Sequence, residues 1–270
     1  MLPDADRVTR LIEEAAAAEI MPRFRQLAAG DVREKAPGDL VTVADEAVEA
    51  RLAPALVSLL PGSVVVGEEA AAADPALLNR LFDDQPVWII DPVDGTSNFA
   101  EGRPAFAVMV ALVRGRDVLG AWIHDPVKGG TAVAAAGEGA WLGNRRLAVA
   151  AAPSAAGDMA GVLLSGFFGS RDLGRKIDAR RHRVRAVRSA RCAGIEYVRL
   201  ATGEMHFSLF TKLMPWDHAP GVLLHREAGG HAAYVEGGAY EPAAIRRSGL
   251  LLAPDPESWR RLHALLLGDD

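Results

Sequence analysis

The 270-residue sequence contains a single cysteine, Cys192. That excludes an internal disulfide framework and a zinc cage built from cysteines. Half of the residues are hydrophobic, yet no apolar run approaches the ~18 residues that a membrane-spanning helix needs. The first residues also lack the apolar segment of a secretory signal, because Asp4, Asp6, Arg7, Glu13 and Glu14 interrupt it. There is no excess of positive charge. Thirty Lys and Arg stand against 35 Asp and Glu, and this net charge of −5 argues against non-specific nucleic-acid binding as the main task. Internal repeats and long low-complexity linkers are missing too. What remains is a globular, cytoplasmic chain, with a length about 1.8 times that of a ~150-residue domain. Two intimately packed halves are expected, 1–150 and 151–270, with a soft boundary at 150–154.

Val8, Leu11, Ile12 and Ala15 recur at helical spacing and predict a first helix over about residues 5–28, stopped near Gly30. The alanines at 15–18 read as helix filler and those at 70–73 as a loop. Thr42-x-x-Asp45 has the form of a capping box, opening a helix whose Val48, Leu52, Leu56 and Leu59 share a face before Pro61-Gly62. Short apolar runs at 64–66 and 87–90 have the character of buried strands. Strands near 106–113, 118–124 and 131–136 follow, with a hairpin turn at Arg114-Gly115-Arg116-Asp117. This cluster predicts an antiparallel sheet beside helices. Beyond residue 150, strands are expected at 163–164 and 184–187, and helices at 193–202 and 217–228. A last helix is capped by Asp255, with Pro256 at its first position.

Two of the buried strands run directly into acidic residues: Glu68-Glu69, and Asp91-Pro92-Val93-Asp94. Carboxylates gathered at buried strand ends repel one another unless cations or protons intervene. Hard divalent ions such as Mg2+ take oxygen ligands and suit such an array. Pro92 stiffens the turn so that Asp91 and Asp94 can point to one side. Gly95 lets the backbone approach a ligand, and Thr96 places a hydroxyl beside the carboxylates. A short helix beginning at Gly95 would offer the amides of Gly95, Thr96 and Ser97 to a phosphate.

Residues 88–99 read W-I-I-D-P-V-D-G-T-S-N-F, preceded by Asp39-Leu40-Val41-Thr42-x-Ala44-Asp45 and Gly67-Glu68-Glu69. Trp216-Asp217 and Glu227-Ala228-Gly229-Gly230 follow downstream. In these five segments, taken in order, the chain resembles the inositol monophosphatase superfamily of Mg2+-dependent, lithium-sensitive phosphatases. The resemblance implies an α+β fold in αβαβα layers, with an antiparallel sheet, a second mixed sheet and helices between them. It implies that Glu68, Asp91 and the carbonyl of Val93 bind a first Mg2+, and that Asp91, Asp94 and Asp217 bind a second. A third, weaker ion would lean on Glu68 and water, and Mn2+ is a possible substitute. Asp45 and Thr96 would orient and deprotonate the attacking water. The implied reaction is direct hydrolysis of a small phosphate monoester, and the implied assembly is a homodimer.

Simpler roles exist for several of these residues. Asp45 can serve only the capping box. Asp217 can be only the N-cap of a helix with Pro220 in its first turn. Glu69 reads as solvated or supporting, Lys35 as a surface lysine or a neutraliser of a phosphate or of the acidic cluster, and His218 as a polar contact. Trp88 and Trp216 read as core packing and Cys192 as a small buried residue. Residues 171–191 carry nine Arg or Lys against Asp172 and Asp178. They read as a solvated helix and loop, from which one or two arginines can reach a second anionic group on a substrate.

The chain departs from the superfamily where the substrate's alcohol sits. Arg191-Cys192-Ala193 stands where Gly-Thr-Ala is usual, and Phe210 stands seven residues before Asp217, where a Glu usually holds ring hydroxyls. Inositol phosphate is therefore one candidate beside sugar bisphosphates, histidinol phosphate and nucleotide 3′-phosphates. The competing expectation is a phosphatase fold whose main role is to bind RNA or transcription machinery.

Overall fold

The computed structural model describes residues 3–164 and 171–268. Asp4 opens helix α1 (Ala5–Ala15) by accepting the amides of Asp6 and Arg7, and the helix buries Val8, Ile12 and Ala15. A π-helical turn over Ala16–Ile20 follows, so the regular helix is shorter than the predicted 5–28. Strands β1 (Val32–Ala36) and β2 (Asp39–Thr42) form a separate antiparallel hairpin. Thr42 and Asp45 make the expected capping box at the start of α2 (Val43–Leu59).

Strand β3 (Val64–Gly67) leads into α3 (Glu68–Ala73), a short helix where a loop was expected at 70–73. Its start is held by Glu49 of α2, whose carboxylate accepts the amides of Glu69 and Ala70, each at 2.9 Å. Strand β4 (Val87–Asp94) runs four residues beyond the predicted 87–90. The chain continues through α4 (Thr96–Ala100), β5 (Ala107–Arg114), β6 (Asp117–His124), β7 (Thr131–Ala135), β8 (Gly139–Leu142) and β9 (Arg145–Arg146). There follow β10 (Ala160–Leu163), α5 (Arg171–Arg180), β11 (Arg185–Ala186), α6 (Ala193–Ala201), β12 (Phe207–Phe210) and α7 (Pro215–Glu227). The last elements are β13 (His231–Tyr234), β14 (Leu250–Ala253) and α8 (Pro256–Leu267), with Asp255 as the expected cap of α8.

Strands β3 to β9 form one sheet in sequence order. It is antiparallel except for the β3–β4 pair, which is parallel, so this sheet is mixed as well. The second sheet has the order β11-β10-β12-β14-β13 and mixes both directions. Strand alternation sorts the side chains into three cores. Trp88, Ile90, Val108 and Val110 face α1 and α2. Ile89, Met109 and Ala111 face the other way and meet α6 and α7 through Tyr197, Leu200, Ala219 and Val222. Leu250 and Leu252 close that middle core from the second sheet, while Leu251 and Ala253 pack outward on Ile177, Leu262 and Leu266 of α5 and α8. The result is the αβαβα layering.

Candidate active site

The centre is built where β4 ends. Pairing of β4 with β5 slips between Asp91 and Asp94, so Pro92 and Val93 are taken up in an irregularity. Both carboxylates then turn to the same place, where they meet Asp217 of α7. One carboxylate oxygen from each of the three lies within 4.8 Å of the others. Such a group can hold a cation. Asp217 is the third residue of α7, because Pro215 starts the helix and Met214 is its cap residue. The N-cap reading of Asp217 is therefore corrected.

Each carboxylate has its own support. Asp94 Oδ2 accepts the Gly194 amide at 2.6 Å and the Cys192 thiol at 3.0 Å, which ties it to the start of α6. Burial and the adjacent Asp94 push the Cys192 thiol well above its usual range, which keeps it a donor. Asp91 is 2% exposed, and its Oδ1 is buried without a hydrogen-bond partner. Burying an unsatisfied carboxylate oxygen among other carboxylates is costly, and a hard cation would satisfy it. Burial first, then Glu68, Asp94 and Asp217, raise the Asp91 carboxyl well above its ordinary range. Burial and Glu68 push Asp217 up to about 8.

Glu68 opens α3 and lines the same cavity. Lys35, on β1, reaches Glu68 and Glu69 at 2.9 Å each, so it is a counter-charge to the acidic cluster and not a surface lysine. Burial opposes the Lys35 charge, but the two carboxylates outweigh it and move its pKa up.

Asp45 makes the capping box with one oxygen and turns the other toward Thr96. Its Oδ2 accepts the Thr42 amide at 2.8 Å and the Thr42 hydroxyl at 2.5 Å, while Oδ1 faces the Thr96 hydroxyl at 3.2 Å. Thr96 Oγ1 is also 2.9 Å from the Val93 carbonyl. Burial lifts Asp45 to about 7 against the Thr42 hydrogen bonds. Gly95, at φ +88°, precedes α4, and a Cβ there would stand 2.9 Å from the Ala105 carbonyl. Gly95, Thr96 and Ser97 line the cavity, which encloses about 550 Å3.

His218 Nε2 faces the Lys212 carbonyl at 2.7 Å, an acceptor, so Nδ1 takes the Tyr197 hydroxyl at 2.9 Å. Burial lowers its pKa to about 4, and the ring is a neutral polar contact. Trp88 bonds Ser63 in the core, and Trp216 is buried. Of the nine basic residues at 171–191, Arg191 lines the cavity, whereas Arg175 and Arg181 pair with Asp172 and Asp178 on the surface.

Three contributors escaped the sequence reading. Glu49 anchors the helix that carries Glu68, and the only signal is its place one turn after Asp45 on α2. Asn98 ties α4 to the segment before α6, donating to the carbonyls of Ala105 at 2.7 Å, Ala190 at 2.8 Å and Arg191 at 3.2 Å. The Cys192 thiol contact to Asp94 spans 98 residues. One mutation tests the Glu49 anchor. A Cβ on Gly67 would fall 2.2–2.5 Å from the Glu49 carboxylate. Gly67→Ala should therefore cost roughly 1–3 kcal/mol in unfolding free energy, as overpacking does, and lower activity by shifting Glu68. Denaturant melts and rate assays would check both.

The raised carboxyls also fix a pH dependence. Asp45 and Glu69 near 7 and Asp217 near 8 keep protons in the folded, metal-free protein that the unfolded chain has already lost. Stability then falls as pH rises through those values. Buried His218 and His225, both lowered to about 4, oppose this between 4 and 6.5 and no longer do so above it. In chelator, the melting temperature should drop between pH 6.5 and 8, and saturating Mg2+ should remove the drop.

The chain is similar to known proteins over most of its length. A model of the Inositol monophosphatase family matches residues 4–269. The inositol-1-monophosphatase of Rhizobium meliloti is 33% identical over 207 residues, covering 76% of this chain and 75% of that protein. The Nus factor SuhB of Pseudomonas aeruginosa is also 33% identical over 207 residues, covering 74% of this chain and 73% of its own. Among solved structures, the extragenic suppressor protein suhB from Bartonella henselae superposes with a TM-score of 0.79 at 25% identity, covering 97% of this chain and 99% of that one. No helix among the described residues is long and apolar enough to cross a membrane.

Proposed function

This chain belongs to the inositol monophosphatase family, and on that premise we propose that it hydrolyses small phosphate monoesters with Mg2+. The observation that carries the reading is the meeting of Asp91, Asp94 and Asp217, with Asp91 Oδ1 buried and unpartnered. Glu68, Asp91 and the Val93 carbonyl would hold one ion, and Asp91, Asp94 and Asp217 a second, with Glu68 also supporting a weaker third. Bound there, the ions supply charge neutralisation for the phosphate and stabilise the attacking and leaving oxygens.

The chain's own groups do the rest. With its one proton turned to Asp45 Oδ1 at 3.2 Å rather than to the Val93 carbonyl at 2.9 Å, Thr96 Oγ1 has lone pairs free to accept from a water molecule and so aims it. The proton leaves that water through the Thr96 hydroxyl to Asp45, whose pKa near 7 suits a base working at neutral pH. The amides of Gly95, Thr96 and Ser97 receive the phosphoryl oxygens. The water oxygen bonds to phosphorus as the P–O ester bond breaks, and the leaving oxygen takes a proton from solvent water, giving an alcohol and inorganic phosphate. Asp45 returns its proton to solvent. No side chain is phosphorylated on the way.

Release of p-nitrophenol from p-nitrophenyl phosphate, with and without Mg2+, tests the reading. Metal-dependent turnover is expected; its absence across a panel of phosphate esters would reject it. A second reading rests on relatives described as Nus factor SuhB. A transcription-machinery role of that kind would persist in Asp91→Asn, where hydrolysis would not.

A further inference from the structure

We propose that Arg191 makes this cavity selective for phosphate monoesters that carry a second anionic group; this rests on the hydrolytic reading above. Two non-glycine residues among those described have a positive φ, Arg25 at +63° and Arg191 at +57°. Glycine occupies that region without strain, whereas an L side chain is uncommon there. The Arg25 guanidinium is accounted for by the Gly102 carbonyl at 3.0 Å. Arg191 is different. The residue is exposed, its guanidinium has no hydrogen-bond or ion-pair partner among the described residues, and it lines the cavity of Asp91, Asp94 and Asp217.

The backbone around Arg191 is held firmly. Asn98 Nδ2 donates to the carbonyls of Ala190 and Arg191, the Arg191 amide donates to Ser189 Oγ at 2.9 Å, and buried Glu196 accepts the Ala190 amide. Its carbonyl lies against Gly95, 3.5 Å from where a Cβ would stand. The side chain therefore leaves a fixed point beside the phosphate seat. The wall formed by Phe210, stacked on Tyr197 at 5.3 Å and edge-on to His218 at 4.8 Å, offers no hydrogen bond to a hydroxyl. A cavity of about 550 Å3 exceeds the needs of one phosphate. An unpaired guanidinium, a rigid mount and an apolar wall recognise a second phosphate or a carboxylate better than a neutral polyol. The planar fork of Arg binds either bidentately.

The test compares matched esters at constant free Mg2+: fructose 1,6-bisphosphate against fructose 1-phosphate, and 3-phosphoglycerate against glycerol 3-phosphate. Wild type should favour the doubly anionic member of at least one pair by about tenfold or more in kcat/KM, equivalent to one charge-assisted contact. Preference in the first pair identifies a second phosphate, and in the second pair a carboxylate. Arg191→Gly, which relaxes the backbone and so folds, should bring that ratio to within about threefold of one, mainly through KM. Arg191→Lys should keep part of the preference. A wild-type ratio near one, or an undiminished ratio in Arg191→Gly, overturns the proposal while metal-dependent turnover of p-nitrophenyl phosphate leaves the hydrolytic reading standing. Loss of all turnover in wild type overturns both.

Discussion

Asp91→Asn is expected to lower kcat/KM by roughly a thousandfold or more while raising the melting temperature of the metal-free protein. The two effects have one cause. Asp91 is shared between both proposed ion sites, so losing its charge weakens both. Without ions, the same charge is a burden: it is buried, repelled by Glu68, Asp94 and Asp217, and its Oδ1 has no partner. Asn keeps the shape, removes the repulsion and can donate to a neighbouring carboxylate, a gain of about 1–2 kcal/mol. Thermal melts in chelator at pH 8 would read that gain as about 2–8 °C. Adding Mg2+ should stabilise wild type, by about 2.7 kcal/mol at a hundredfold excess over Kd, and leave Asp91→Asn nearly unmoved. An Asp91→Asn protein that keeps both activity and Mg2+ stabilisation would contradict the assignment.

Thr96→Ala should cut kcat by roughly a hundredfold to a thousandfold and leave the Mg2+ dependence within about twofold of wild type, since the hydroxyl acts on water rather than on the ions. Asp45 stays in place without it, because its other oxygen is held by the amide and hydroxyl of Thr42. Thr96→Ser, which restores the hydroxyl, should recover most of the rate. A change in Mg2+ midpoint without a change in kcat would move Thr96 from the water to the metal site.

Local chemistry was readable from the sequence, and long-range geometry was not. The Thr42/Asp45 capping box, the Asp255 cap and the buried strand at 87–90 all depend on neighbours within a few residues, and the fold keeps them. The β1–β2 hairpin was missed because Val32–Ala36 is mostly polar and two residues of it are half-buried, so no hydrophobic period marks it. The 70–73 alanines read as loop because their helix is started by Glu49, about 20 residues away. Strand β4 was cut short at Ile90 because Asp91 and Pro92 resemble a turn, whereas β5 pairing carries the strand on to Asp94. Asp217 read as a cap because the sequence marks a helix without fixing its first residue. The quoted segments named the acidic residues that line this cavity. They could not show that Cys192 and Gly194 hold Asp94, or that Asn98 holds the Arg191 backbone.

Anomalous diffraction from crystals grown with Mn2+ tests the central claim most directly. The account predicts at least two peaks, one within coordination distance of Asp91, Asp94 and Asp217 and one beside Glu68 and Asp91. Crystals of an enzyme that is active with Mn2+ but shows no peak near Asp91 would contradict it.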